Sequence, residues 1–460
     1  MQVLRSLLSL LAAFSLLPLV ATAQDSRPSD RTASTARAAA DAQVWILTNL
    51  TLLDGTDAPA RAGVSVVLEG KTIRSITDGP PGDAPPDAQW VDLSGHFAVP
   101  GLHDVHTHLA TSPSAAGYTE RVQKQLRHLL GRGVTAVRDM AGDARVLAYL
   151  ARQTGLGDLP GPDIHFAAVV GGSRLLGDPR LRDCSLGVPP GTAPWAHCIR
   201  EETDLSALMH EIRGTGASGV KIYADLSPEL LRRTIDAAKE RGLMVWAHWV
   251  VTPRRTGALE VVRAGVDVVS HVHLPLLDTA PDDRVSSARA LSGIQADALL
   301  EELATRGTIL DATLIAAQGL PSRPGWVEPG VFAIDLLRAA RAAGVLIATG
   351  SDHKGDDQVP GIHLEYRALV RDADWTPAQV IEAATSVSAR VLGTAARSGS
   401  LREGMEATLL VLDRDPSKDV TALAEPRFVL KRGRLYSGEE LRGEGPSDGS
   451  LDAFPGAQRR

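Results

Sequence analysis

Three rhythms of apolar and polar positions run along the chain. From Val44 the apolar residues fall into short runs, Trp45-Ile46-Leu47, Val64 to Leu68 and Thr72 to Ile76, cut by Gly and Asp turns and followed by Trp90-Val91-Asp92 and Phe97-Ala98-Val99. Runs of this length bounded by turn residues predict β-strands, so residues 43–99 read as a small all-β module. From Gly101 the pattern becomes apolar triplets alternating with amphipathic stretches such as Pro228 to Arg241. The triplets are Ala136-Val137-Arg138, Ile164-His165-Phe166, Val220-Lys221-Ile222, Met244-Val245-Trp246, Val268-Val269-Ser270, Thr308-Ile309-Leu310 and Leu346-Ile347-Ala348; with Leu102 to Val105 they make about eight strands. Eight βα repeats over residues 100–393 predict a closed (β/α)8 barrel of the TIM type, an α/β fold, with a doubly wound open sheet as the competing architecture. Past Gly393 strand signals return at Ala407 to Leu412, Phe428-Val429-Leu430 and, after a turn at Lys431-Arg432-Gly433, Arg434-Leu435-Tyr436. Residues 394–440 are therefore expected to pair with 43–99 in one small β-sandwich domain, and the Gly/Ser/Asp-rich residues 441–460 to form a loosely ordered tail.

The 460 residues are 44% hydrophobic, enough to bury a large core, and the net charge of -7 comes with Lys and Arg scattered singly. No basic stripe for nucleic acid or an acidic membrane surface results, which leaves a small-molecule partner. Arg5, the apolar stretch Leu7 to Val20 and Ala21-Thr22-Ala23 read as a signal peptide over residues 1–23. That run is shorter than the ~20 residues a membrane span needs. The mature chain is thus expected to be periplasmic or secreted, without stable membrane insertion, with 24–42 as a flexible lead-in. Two cysteines, Cys184 and Cys198, flank a Pro/Gly-rich stretch without metal-type spacing. In an exported chain they are a disulfide candidate, the competing reading being two unpaired thiols.

His106 and His108 are two apart on a predicted strand, so both imidazoles project from one face. The segment Leu109 to Pro113 ends that strand, and barrel enzymes carry their chemistry at the C-terminal strand edge. Lys221, His248, His271 and Asp352 recur at the ends of later strands. Each histidine has a bland reading as a core or loop residue, and Asp352 as a cap, but a lysine between Val220 and Ile222 is costly to bury unless paired or modified.

The run Val99-Pro100-Gly101-Leu102-His103-Asp104-Val105-His106-Thr107-His108 resembles the opening barrel motif of the amidohydrolase superfamily, and in particular its imidazolonepropionase-like and prolidase-type metal hydrolases. The likeness extends through Gly133 to Asp139, Ala264-Gly265-Val266-Asp267 and Pro377 to Gly393. It implies a barrel joined to a β-sandwich built from both chain ends, and two divalent metal ions, with Zn2+ the default for imidazole and carboxylate donors. By the same resemblance His106, His108 and Asp352 hold one ion, His248 and His271 the other, and an N6-carboxylated Lys221 bridges both. A metal-bridging hydroxide would then attack an amide of a dipeptide or N-acyl amino acid, with Asp352 as the catalytic proton acceptor.

Three positions depart from the family pattern: His103 replaces an apolar residue, Ser270 precedes the sixth-strand histidine where an acid is common, and Thr408 stands where Asp frequently follows Ala. They bear on tuning and substrate. For substrate contacts the candidates are Tyr223, which shares a face with Lys221; Arg138, for which an ion pair with Asp139 is the competing role; and His353 beside Asp352. Gly171 to Cys198 reads as a lid. Other functions are hydrolysis of a cyclic amide or lactone, one-metal deamination, or a non-catalytic binding protein on the same scaffold. The Trp249-Val250-Val251 sequence after His248 lacks the Glu that deaminases of the superfamily carry there. A homo-oligomer is left open.

Overall fold

The computed structural model describes residues 44–223, 225–249, 256–352, 359–436, 441 and 457–458. The signal segment 1–23, the lead-in 24–42 and most of the tail lie outside them. Among the described residues no helix is long and apolar enough to cross a membrane.

The chain begins with β1 (Val44–Leu52), β2 (Arg61–Glu69), β3 (Thr72–Asp78), β4 (Gln89–Asp92) and β5 (Phe97–Pro100). It then enters β6 (Leu102–Thr107), β7 (Val134–Asp139), β8 (Asp163–Gly171), the short pair β9 (Thr192–Ala193) and β10 (Ala196–Cys198), and β11 (Gly219–Ile222). After β12 (Met244–His248), β13 (Val268–Ser270), β14 (Ile309–Asp311) and β15 (Ile347–Ala348) it leaves through β16 (Leu409–Leu412), β17 (Pro426–Lys431), β18 (Arg434–Tyr436) and β19 (Ala457–Gln458).

Strands β6, β7, β8, β11, β12, β13, β14 and β15 are parallel neighbours in chain order. An open doubly wound sheet would reverse that order at a switch point. Here the two ends meet: Val105 N donates to Thr349 O at 3.2 Å and Asp352 N to His106 O at 2.9 Å, which closes a (β/α)8 barrel. Every residue of β6 and β7 is buried, as expected of parallel strands covered on both faces. Inside, Val105, Ala136, Ala167, Trp246, Val268, Ile309 and Ala348 form one apolar layer, floored by Val387, Val391 and Leu392.

The outer helices follow from capping and periodicity. In Pro228–Glu240, Ser227 caps the Leu230 N–H, Pro228 opens the first turn, and Leu230, Leu231, Thr234, Ile235 and Ala238 form the buried stripe. Fully burying each Leu or Ile is worth about 1.5–3 kcal/mol, so Leu231→Asp would detach this helix.

β9 and β10 extend the barrel sheet beside β8, and the remaining nine strands form one continuous sheet in the order β18-β17-β16-β5-β1-β2-β3, with β4 beside β1 and β19 beside β4. Both chain ends build it: β16 lies antiparallel to β5, Leu410 opposite Val99 and Val411 opposite Ala98. Its apolar core includes Trp45, Leu47, Leu50, Val66, Leu409 and Val411. Within the expected loose tail, β19 pairs with Trp90 and Val91. Gly101 sits where the chain passes from sheet to barrel; a Cβ there would lie 2.1 Å from Thr135 Oγ1, so no larger residue fits the crossing.

Candidate active site

The strand ends of the barrel bring the six expected ligands to one open cavity of about 220 Å3, lined by His106, His108, Lys221, His248, His271 and Asp352. His106 is the next-to-last residue of β6 and His108 follows just beyond the strand. One ligand atom from each of His106, His108 and Asp352 lies within 4.8 Å of the others. Asp352 Oδ1 is 3.0 Å from His108 Nε2 and 3.9 Å from His106 Nε2, and its Oδ2 is 3.6 Å from His271 Nδ1. The ring of His271 is 4.6 Å from that of His106 and 4.9 Å from that of His248, which continues to Tyr223 at 4.5 Å. The ends of five strands thus deliver one cluster.

Backbone geometry at the cluster is unusual. His271, Thr313 and Asp352 have φ of 74°, 47° and 45°, a left-handed conformation that costs a non-glycine residue of order 1–3 kcal/mol and gathers at functional sites. Asp104 secures the last of these turns, accepting from Ser351 N at 3.0 Å and Ser351 Oγ at 2.7 Å. Gly350 completes it, since a Cβ there would sit 2.3 Å from Asp311 Oδ1.

Asp311 at the end of β14 is the largest omission of the sequence reading. His106 Nδ1 donates to its Oδ2 at 2.7 Å, and Arg138 donates to the same oxygen at 3.1 Å. This fixes the tautomer that leaves His106 Nε2 facing the cluster, the usual outer support of a metal-binding histidine. The Thr313 hydroxyl similarly holds His271 Nδ1 at 3.1 Å. The signal in the sequence was an acid directly after the run Thr308-Ile309-Leu310, at a strand end equivalent to that of His248.

Burial governs the protonation of the site. It holds the imidazoles of His106, His248 and His271 well below the ordinary histidine range, so they are neutral and able to donate lone pairs. Asp352 is the reverse: burial opposes its charge, but His106 and His108 bring its pKa to about 2. Burial, reinforced by Arg138, lowers Lys221 to about 7, and among the described residues its Nζ has no hydrogen-bond partner. Neutral imidazoles, an ionised carboxylate and an orphaned buried amine fit divalent cations, and His106, His108 and Asp352 form a candidate metal site.

The other expected residues fall differently. Arg138 is fully buried and donates to Val105 O at 2.6 Å and to Asp311, so it can neither clamp a substrate nor pair with Asp139, whose carboxylate takes backbone N–H groups including that of Ala141. The reason is its direction: it points into the barrel, stacked 4.7 Å over Trp246. Tyr223 lines the cavity. His353, and Lys354 beside it, lie outside the described residues. Cys184 and Cys198 are free thiols and not a disulfide. Cys184 ends the helix Pro179–Cys184 and turns toward Leu181 O, while Cys198 Sγ packs over Gly191. His103 is buried at the far end of the barrel beside His165 and Asp163, a structural place.

The insertion after β8 carries a second missed residue. Its helix Pro179–Cys184 places Arg180 in the cavity wall, where Arg180 pairs with Asp178 at 2.6 Å and donates to Tyr223 Oη at 3.1 Å. Only the lid expected over this segment pointed toward it.

Residues 97–436 match the model of the Amidohydrolase family, and the chain belongs to that family. It is a hydrolase of carbon–nitrogen bonds. Ochratoxinase of Aspergillus niger is 26% identical over 449 residues, covering 86% of this chain and 88% of the relative. Imidazolonepropionase of Caulobacter vibrioides is 26% identical over 407 residues, covering 81% and 93%. Among solved structures, a Xaa-Pro dipeptidase with methionine in its active site superposes with a TM-score of 0.67 at 22% identity, covering 86% of this chain and all of that one. This last likeness speaks for the fold.

Proposed function

We propose that the protein is an exported two-metal amidohydrolase that cuts an amide of a small substrate bearing a carboxylate, such as a dipeptide or N-acyl amino acid. The observation that carries this reading is Lys221. A buried ammonium without a partner is unstable where it stands, and a pKa near 7 leaves much of the amine neutral at neutral pH. A neutral amine adds CO2, forming an N–C bond and releasing a proton, and the resulting carbamate is an anion with two oxygens. His106, His108 and Asp352 would hold one cation, His248 and His271 a second, and the Lys221 carbamate would serve both. Such cations, zinc by the donor set, polarise a carbonyl and lower the pKa of water from 15.7 to about 7.

The chain's own groups supply the rest. The Asp352 carboxylate, ionised at any physiological pH, accepts the proton of the attacking water and returns it to the leaving nitrogen. Tyr223 and Arg180 line the cavity, with Asp178 as their partner outside its lining; a substrate carboxylate would replace Asp178 as their acceptor. Support for export is the segment Leu7 to Ala23. Opening of a cyclic amide is the second reading, because the same donors act on its carbonyl.

The test combines metal analysis of the mature protein with a panel of dipeptides, N-acyl amino acids, cyclic amides and lactones. About two ions per chain, and amide cleavage lost on chelation and regained with zinc, are expected. One ion per chain with deamination of a heterocycle would falsify the two-metal reading.

A further inference from the structure

Next to the metal-site cavity lies a second one of about 320 Å3, walled by Leu276, Leu277, Pro321, Trp326, Val327 and Pro329. The two share the lining residues His273, Leu274 and Leu320, so they are immediate neighbours. Different segments form the walls: the turn Leu274–Asp278 after β13 on one side and residues 320–329 on the other.

This annex is built, not left over. The guanidinium groups of Arg284 and Arg323 lie 4.2 and 4.8 Å from the centre of the Trp326 ring. Arg284 also donates to Leu277 O and Thr279 O at 2.8 Å each, and its own carbonyl accepts from Val327 N at 2.6 Å. One arginine therefore ties both walls together and keeps them apart. At the shared border Leu320 is 41% exposed. Apolar surface left in water costs about 25 cal/mol per Å2, and here it borders the reacting centre. A cavity of roughly 150 Å3 already accepts benzene, so this one has space for a fused ring or a branched aliphatic chain.

We propose that the annex receives a large apolar or aromatic group of the substrate, so that the preferred amide carries a bulky hydrophobic acyl group or side chain beside the scissile bond. The occupant is the substrate and not a second protein, because the annex borders the metal-site cavity at His273, Leu274 and Leu320. The substrate assignment rests on the amide-hydrolase reading above.

The experiment uses the metal-loaded protein and two variants, Leu277→Arg and Trp326→Ala, titrated calorimetrically with 2-naphthoate and with acetate. Both ligands carry a carboxylate, so their difference reports the ring. Wild type is expected to bind naphthoate at least about tenfold more tightly than acetate, and each folded variant to lose at least about tenfold of that preference. Equal affinity for the two acids in wild type, or a preference that survives in both variants, overturns the proposal. Melting curves show which variant is folded, and Trp326→Ala suffices if Leu277→Arg is not. Kinetics with N-naphthoyl-glycine and N-acetyl-glycine separate the two claims. Naphthoate binding with neither amide cleaved supports the annex and defeats the amide reading; cleavage of both at equal kcat/KM, with no naphthoate preference, does the opposite.

Discussion

The barrel buries a lysine at each end. At the floor, Lys431 Nζ lies 2.7 Å from Asp163 Oδ1 and donates to Gly161 O at 2.8 Å and Thr154 O at 3.1 Å. At the mouth, Lys221 is equally buried, and its Nζ has no such partner among the described residues. Burial lowers the pKa of both; Asp163 works against it for Lys431 through charge and a direct hydrogen bond, and Asp311 and Asp352 for Lys221 through charge alone. The floor is a finished ion-pair network, with Arg432 also on Asp163, and it fastens the sheet to the barrel. The mouth is an unfinished one. Satisfied buried charge marks structure, while unsatisfied buried charge with left-handed backbone beside it marks a site.

The sharpest way to break this contrast is Lys431→Met. Removing one partner of a buried pair costs about 3–5 kcal/mol, and the lower end is expected because Arg432 still faces Asp163. Urea unfolding measures this, and kcat/KM of the folded variant should stay within a few-fold of wild type. Lys221→Met should invert the outcome: a melting temperature equal to or above that of wild type, with at least about a hundredfold loss of kcat/KM, a ligand mattering no less than the outer groups that orient one. Full activity with reduced stability would place Lys221 among the structural lysines.

Asp311→Asn keeps the shape of the support behind His106 and removes its charge. A 10–100-fold drop in metal affinity or activity is expected, read by chelator competition; unchanged affinity would mean that Arg138 and not His106 is what Asp311 serves. The smallest effect concerns Glu365, fully buried with both oxygens on the N–H groups of Leu314 and Ile315 at 2.8 Å. Burial raises its pKa from 4.5 to about 8. The unfolded chain gives up this proton first, so the stability contribution present at low pH is lost as pH rises between those values. Glu365→Gln should flatten that decline by about 1 kcal/mol between pH 7 and pH 8, seen in paired urea titrations.

Much of this was legible in the chain. The eight strands were readable because parallel strands buried on both faces appear as short apolar runs, and the six candidate ligands because each interrupts or ends such a run with a donor. Asp311 escaped because an acid after a strand looks like an ordinary turn residue until His106 and Arg138 are seen on it. The Arg138–Asp139 pairing failed for a geometric reason: neighbours in a strand point to opposite faces. The disulfide failed because closeness along the chain does not orient Cβ atoms, and Cys184 is committed to a helix end.

By itself, then, the sequence determined the barrel, the two-ended sheet and which residue types stand at the strand ends, because these depend on local periodicity and on the cost of burying a charge. The tertiary structure alone decided which charges are paired. Lys431 meets Asp163, 268 positions away, and His106 meets Asp311 across 205, whereas Lys221 meets no partner at all among the described residues. Pairing energies of that kind arise only once closure of the barrel brings distant strand ends within hydrogen-bond reach, and no pattern along the chain encodes them.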